Sequence, residues 1–202
     1  MTSFRLSLFA LFMGASLQAS AATAVFAGGC FWCMEAAYQD VPGVTDVVSG
    51  FTGGTHPNPT YNGAHTGHYE AVEVTYDPDA ISFEQLLMLF WANVDPFDAG
   101  GQFCDRGDSY RTAIFVAGEG ERALAESTFN AVQGAFSDQM VVTEILDRAK
   151  FFPVEEYHQD YYIKNSRRYK FYRFACGRDK RLKAVWSGTR WREESQRLST
   201  AH

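Results

Sequence analysis

One dipeptide marks an abrupt change of conformational period. Thr23 to Ala27 is a short β-prone apolar run, Gly28-Gly29 ends it, and a helical pattern runs from Cys30 to about Gln39, ahead of Pro42-Gly43. Strand, tight turn and helix therefore form the first unit. Asp46 to Phe51 predicts a second strand, followed by a long Gly-, Pro-, Asn- and His-rich loop from Thr52 to Gly67, a length that usually serves function. From Tyr69 to Asp77 the residues alternate, with Val72, Val74 and Tyr76 on one face and Ala71, Glu73 and Thr75 on the other. Ser82 and Gln85 have the spacing of a capping box before the helical stripe Phe83, Leu86, Leu87, Phe90 and Trp91. Arg111 to Ala117 predicts a strand, Glu119 to Gln133 a helix and Met140 to Leu146 a last strand. The order through Ala117, β-α-β-β-α-β, predicts an α+β fold: a two-layer sandwich with a ferredoxin-like split β-α-β core and a C-terminal extension.

Hydrophobic residues make up 46% of the 202, enough for one sizeable core, and no repeat or composition break divides the chain after Ala21. Residues 22–202 are therefore expected to form a single domain. Ahead of it, Arg5, the apolar run Leu6 to Ala15 and the small-residue pattern Ala19-Ser20-Ala21 have the plan of a signal peptide over residues 1–21. The run is about half a spanning helix, so the processed chain is expected to be exported, to the periplasm, without stable membrane insertion. Charge is uneven. Residues 164–202 carry 12 basic and 3 acidic side chains, whereas 22–163 carry 5 basic and 21 acidic. A basic, aromatic tail suits nucleic acid, but an acidic body in the same chain is the simpler partner, so no nucleic acid is expected.

Four cysteines, Cys30, Cys33, Cys104 and Cys176, allow two disulfides in an exported chain. Cys30 stands at a helix start, where the positive end of the backbone dipole favours thiolate, which makes it a candidate nucleophile. Phe31 and Trp32 beside it are core aromatics or the wall of an apolar pocket. Glu70 shares the parity of Val72, Val74 and Tyr76. It is a desolvated proton donor if that face is the core, or an ordinary carboxylate if it lies at an exposed strand end. His65-x-x-His68 with Cys30-x-x-Cys33 has the ligand types of a zinc site, although a helix start is a poor setting for two of its ligands. A zinc-stabilised interaction module and a general dithiol-disulfide oxidoreductase using Cys30 and Cys33 are the alternatives these residues leave open.

The segments Gly28-Gly29-Cys30-Phe31-Trp32, Asn58-Pro59-Thr60-Tyr61, Gly67-His68-Tyr69-Glu70-Ala71-Val72, Phe90-Trp91, Asp105-Arg106-Gly107 with Tyr110-Arg111, and His158-Gln159-Asp160-Tyr161 occur in one register. In that order the chain resembles the A-type peptide methionine sulfoxide reductases, from about Val25 to Tyr162. The resemblance implies reduction of methionine-S-sulfoxide, free or in proteins, in the repair of oxidative damage. It puts the nucleophile at Cys30, methyl-binding aromatics at Phe31 and Trp32, the acid at Glu70, and sulfoxide-binding groups at Tyr61, Asp105 and Tyr110. It also implies a thioredoxin-like dithiol donor, with no metal or organic cofactor. Many family members have Gly where Cys33 stands and carry the resolving thiol in a glycine-rich tail. Cys176 is the family-like candidate for that thiol here and Cys33 the local one, since three residues along a helix separate two Cα atoms by about 5 Å. Cys104, next to Asp105, is near the site that the motif marks, and whether it is a bystander stays open.

Overall fold

The computed structural model describes residues 20–200. The signal peptide expected over residues 1–21 lies outside them except for its last two residues. In chain order the elements are β1 (Ala22–Gly28), α1 (Phe31–Tyr38), β2 (Val44–Thr52), β3 (Tyr69–Tyr76), α2 (Phe83–Ala92), β4 (Gly101–Gln102) and β5 (Asp105–Arg106). A 3-10 turn at Asp108–Tyr110 leads into β6 (Thr112–Val116), α3 (Glu119–Ala135), β7 (Glu144–Asp147) and β8 (Phe152–Pro153). A second such turn, Glu156–His158, precedes α4 (Tyr161–Lys164), α5 (Ser166–Ala175), α6 (Arg178–Trp186) and α7 (Arg190–Ser199).

Six strands form one α+β sheet in the order β7-β6-β1-β3-β2-β8, antiparallel except for the parallel pair β6 and β7. Strands β1 and β2 flank β3, and β3 and β6 flank β1, so each of the first two helical crossovers steps over one strand. The period-2 pattern sorts side chains as alternation requires. Phe26, Val72, Val74 and Ile114 join the main core with Phe31, Leu86, Phe90 and Trp91 from the helices. Val25, Ala27, Ala71 and Phe115 form a smaller apolar cluster on the opposite parity, under Leu146 and Phe151. Both bonds of the Ser82–Gln85 capping box are made, Gln85 N donating to Ser82 Oγ at 3.2 Å and Ser82 N to Gln85 Oε1 at 2.9 Å.

The strand expected over Met140 to Leu146 is β7 and begins four residues later, at Glu144, and the short β8 that follows it was not expected. Val141 N donates instead to the Gln133 side chain at 3.0 Å and Val142 N to the Pro96 carbonyl at 2.8 Å, so these amides hold a connection rather than a ladder. The polar tail is helical and folded onto the body. Leu182, Val185, Trp186, Trp191 and Leu198 all enter the main core.

Candidate active site

The two glycines that end β1 are there for space and for handedness. A Cβ on Gly28 would fall 2.4 Å from Met34 Sδ, and Gly29, at φ +79°, would drive one to 2.5 Å from Gln102 Cβ. The tight turn delivers Cys30 to the N-cap of α1, with its carbonyl accepting from Cys33 N at 3.0 Å. A cavity of about 40 Å³ opens there. Its walls are Cys30, Phe31, Trp32, Tyr61, Glu70, Asp105, Tyr110 and Tyr172. The seven candidates Cys30, Phe31, Trp32, Tyr61, Glu70, Asp105 and Tyr110 thus meet at one point, from α1, the long loop, β3, β5 and the turn before β6. A larger groove, about 640 Å³, lies between α2, α3 and α7, and neither free thiol lines it.

Glu70 is 2% exposed, so the buried alternative for its strand face holds. Its Oε2 accepts from Phe31 N at 3.1 Å. Burial pushes the carboxyl up to about 8, helped by the nearby charges of Asp105 and Cys33 and opposed by hydrogen bonds from Phe31 N and Tyr110. At neutral pH Glu70 therefore holds its proton. Burial likewise raises Tyr61 to about 12 and Tyr110 further still, leaving both hydroxyls as donors. Trp32 is fixed on two sides: its Nε1 donates to His158 Nδ1 at 3.1 Å, and its ring stacks on Tyr161 at 3.8 Å between centroids. His158 is kept neutral chiefly by burial, as an acceptor at Nδ1 requires.

Cys30 and Cys33 are both free and buried, 5% and 1% exposed. The expectation of a depressed Cys30 is corrected. Burial dominates at that sulfur and raises it, with Cys33 and the Glu70 charge adding to the effect. The Cys30 thiol donates to Cys33, and that hydrogen bond, with the charges of Arg178 and Arg173 and a hydrogen bond from Tyr169, lowers Cys33 to about 6 against its own burial. The dipole argument placed charge on the first sulfur, but the cations lie beside the second.

Cys104 is no bystander. It is joined to Cys176 with 4.9 Å between the Cα atoms, so the structure pairs the family-like resolving candidate with a thiol outside the cavity and leaves Cys33 free beside Cys30. The four-ligand zinc arrangement does not form. His68 Nδ1 accepts from Gly54 N at 3.3 Å while its Nε2 donates to the His56 carbonyl at 2.9 Å, and His65 bonds the Thr60 carbonyl at 3.0 Å. Both histidines brace the long loop that carries Tyr61.

Tyr172, Tyr169 and Arg178 were missed in the sequence. Tyr172 donates to Asp105 Oδ2 and lines the cavity with Cys30. Its signal was available: Tyr169, Tyr172, Arg173 and Cys176 recur at the spacing of one helix face.

Residues 22–190 match the sequence profile of the family described as peptide methionine sulfoxide reductase. The chain is 50% identical over 183 residues to peptide methionine sulfoxide reductase MsrA 2 of Caulobacter vibrioides, covering 87% of this chain and 93% of the relative. It is 49% identical over 168 residues to MsrA of Bacillus licheniformis, covering 81% and 92%. Among solved structures it is similar to methionine sulfoxide reductase A of Corynebacterium diphtheriae, with a TM-score of 0.65 and 33% identity over 74% of this chain and 77% of that one.

Proposed function

We propose a mechanism and a residue assignment on the premise that the chain belongs to the peptide methionine sulfoxide reductase family, of which it is a member by sequence and fold. The protein is a peptide-methionine (S)-S-oxide reductase, an oxidoreductase that converts methionine-S-sulfoxide to methionine through a thiol. One observation carries the residue assignment: the Cys30 sulfur and the buried, protonated Glu70 carboxyl line the same small cavity, walled by Phe31 and Trp32.

Sulfoxide oxygen leaves sulfur only when protonated. With the methyl group against Phe31 and Trp32, the oxygen is directed at Glu70, Tyr61 and Tyr110, and Glu70 donates the proton. The Cys30 sulfur, giving up its own proton, attacks the sulfoxide sulfur. An S–S bond forms as the S–O bond breaks, the oxygen leaving as water with the Glu70 and Cys30 protons. Water then attacks the Cys30 sulfur, the S–S bond breaks, methionine leaves with its sulfur reduced, Glu70 regains a proton, and Cys30 becomes a sulfenic acid. Asp105, held by Tyr172, supports the polar side of the cavity.

Cys33 then attacks the Cys30 sulfenyl sulfur, an S–S bond forms, and the hydroxyl leaves as water with the Cys33 proton. We assign the resolving role to Cys33 over Cys176 because Cys33 packs with Cys30 in one buried cluster and is free, whereas Cys176 is bonded to Cys104. A thioredoxin-like dithiol returns the pair to thiols, since the reaction consumes two electrons. Export to the periplasm, directed by residues 1–21, places this repair in an oxidising compartment, and the intact mass of the processed protein reads whether that segment is removed.

The test of the assignment is peptide mapping of protein oxidised with one equivalent of methionine sulfoxide. A Cys30–Cys33 link is expected, one equivalent of methionine is released, and Cys30→Ser releases none. A Cys30–Cys176 link would overturn the assignment of Cys33, and full release by Cys30→Ser that of the nucleophile.

A further inference from the structure

Cys33 is surrounded by an unusual concentration of positive charge for a buried position. It packs with Cys30, Tyr161 and Tyr169 in one cluster. Tyr169 shares that buried cluster with Cys33, and its hydroxyl oxygen accepts from Arg173 Nη1 at 3.0 Å. Arg173 sits one turn beyond Tyr169 on α5 and is itself anchored, Nε donating to Asp179 Oδ1 at 3.0 Å and Nη2 to the same oxygen at 2.6 Å. A hydrogen-bonded chain therefore runs from the Asp179 carboxylate through the guanidinium to the phenol that shares the cluster with Cys33.

Arg178 adds a second, independent observation. It is 2% exposed, and its hydrogen bonds go to the Gly28 carbonyl at 3.2 Å, the Asn93 carbonyl at 2.7 Å and the Met34 sulfur, none to a carboxylate. Its Nε and Nη1 have no hydrogen-bond partner among the described residues. A buried guanidinium held only by neutral acceptors is costly unless an anion lies within Coulombic reach, and its charge acts on Cys33.

We propose that Tyr169 is a catalytic residue of the disulfide-forming step, hydrogen-bonding Cys33 as thiolate, and that Arg173 and Arg178 are positioning residues that hold the phenol and the charge for it. The proposal rests on Cys33 being the resolving thiol. The attacking sulfur must carry its lone pair free of a proton when the Cys30 sulfenic acid forms. A donor and two guanidiniums supply that condition in a site closed to water. The net step balances as before: the proton that Cys33 has lost on ionising is matched by one that the leaving hydroxyl takes from Glu70, the Cys33–Cys30 bond forms, the S–O bond breaks, and water leaves.

The groups facing Cys33 are Cys30 from α1, Glu70 from β3, Tyr169, Tyr172 and Arg173 from α5, and Arg178 from α6. Of these, only Tyr169 is changed by the first variant. Full-length protein is mixed with one equivalent of methionine sulfoxide, quenched at intervals with dimedone and an alkylating reagent, and assayed by mass for sulfenic acid and disulfide between pH 5.5 and 9. For Tyr169→Phe, the pH at which the disulfide step reaches half its maximal rate is expected to rise by at least about one unit, slowing the step about tenfold below that midpoint. Arg173→Met is expected to reproduce the shift and Arg173→Lys to reverse part of it. An unmoved midpoint, including a uniform slowing at every pH from loosened packing, would overturn the proposal. If the oxidised wild type links Cys30 to Cys176, the resolving assignment itself has failed. If it links Cys30 to Cys33 and the midpoint stays put, only the role given to Tyr169 has.

Discussion

Glu70 shows how one side chain sets stability against chemistry. Its neighbours in β3 hold it, buried, in the wall of the cavity, and desolvation keeps the proton on it up to about pH 8. The unfolded chain ionises this group near 4.5, so between pH 4.5 and 8 the native state binds the extra proton and stability falls as pH rises. Glu70→Gln keeps an oxygen for Phe31 N and removes the titration. Its melting temperature is expected to exceed that of the wild type at pH 8 and to match it near pH 4.5. Single-turnover methionine formation should fall about 10²- to 10⁴-fold, the range for a positioned general acid, and fall most at high pH, where solvent protons are scarce. A wild-type rate at pH 8 would remove Glu70 from the mechanism. The strand's parity could point to Glu70, because alternation sorts faces. It could not say that the face was dry at its end, which depends on Phe31 and the long loop arriving from elsewhere in the chain.

At the scale of elements, the first strand, turn and helix were legible because each carries a local signal: apolar alternation, a positive-φ glycine and helical spacing. The hairpin of β4 and β5 was not. Its strands are two residues each, and Gly101 at φ +142° is tolerated only because no side chain stands where its Cβ would meet the Asp105 carbonyl at 2.2 Å. Its disulfide partner on the α5 side could not be read from spacing either, as Cys104 and Cys176 are 72 residues apart. That link ties the hairpin carrying Asp105 to the end of the helix carrying Tyr172, the residue that holds Asp105. Closing a loop of this length restricts the unfolded chain by about 4 kcal/mol in the chain-entropy treatment. The double variant Cys104→Ser/Cys176→Ser is therefore expected to lose about 2–4 kcal/mol in urea denaturation while still forming the Cys30–Cys33 disulfide. Retention of wild-type stability would mean that the hairpin and α5 are held by their other contacts alone.

Across the whole molecule, the expectation of an acidic body drawing in a basic tail identified the right partners for a reason that accounts for little of the attachment. Arg181 Nε to Asp95 Oδ2 at 2.6 Å and Lys164 Nζ to Glu156 Oε1 at 2.9 Å join tail to body, and the lysine pair is open to solvent. Arg173 with Asp179 and Arg197 with Glu194 lie within the tail itself. What crosses the boundary in bulk is apolar. Trp186 is fully buried, packs edge-on against Phe136 at 5.5 Å and against Trp191 at 5.4 Å, and donates Nε1 to the Val94 carbonyl at 2.8 Å. Exposed pairs are worth about 0–1 kcal/mol and weaken with salt, whereas truncating a buried tryptophan typically costs about 3–5 kcal/mol. Trp186→Ala is therefore expected to lower the denaturation midpoint severely. Moving the wild type from about 0.05 to 1 M salt, which shortens the screening length to about 3 Å, should change its stability by less than about 1 kcal/mol. A large loss in salt with little effect of Trp186→Ala would reverse the ranking and return the attachment of the tail to its charge.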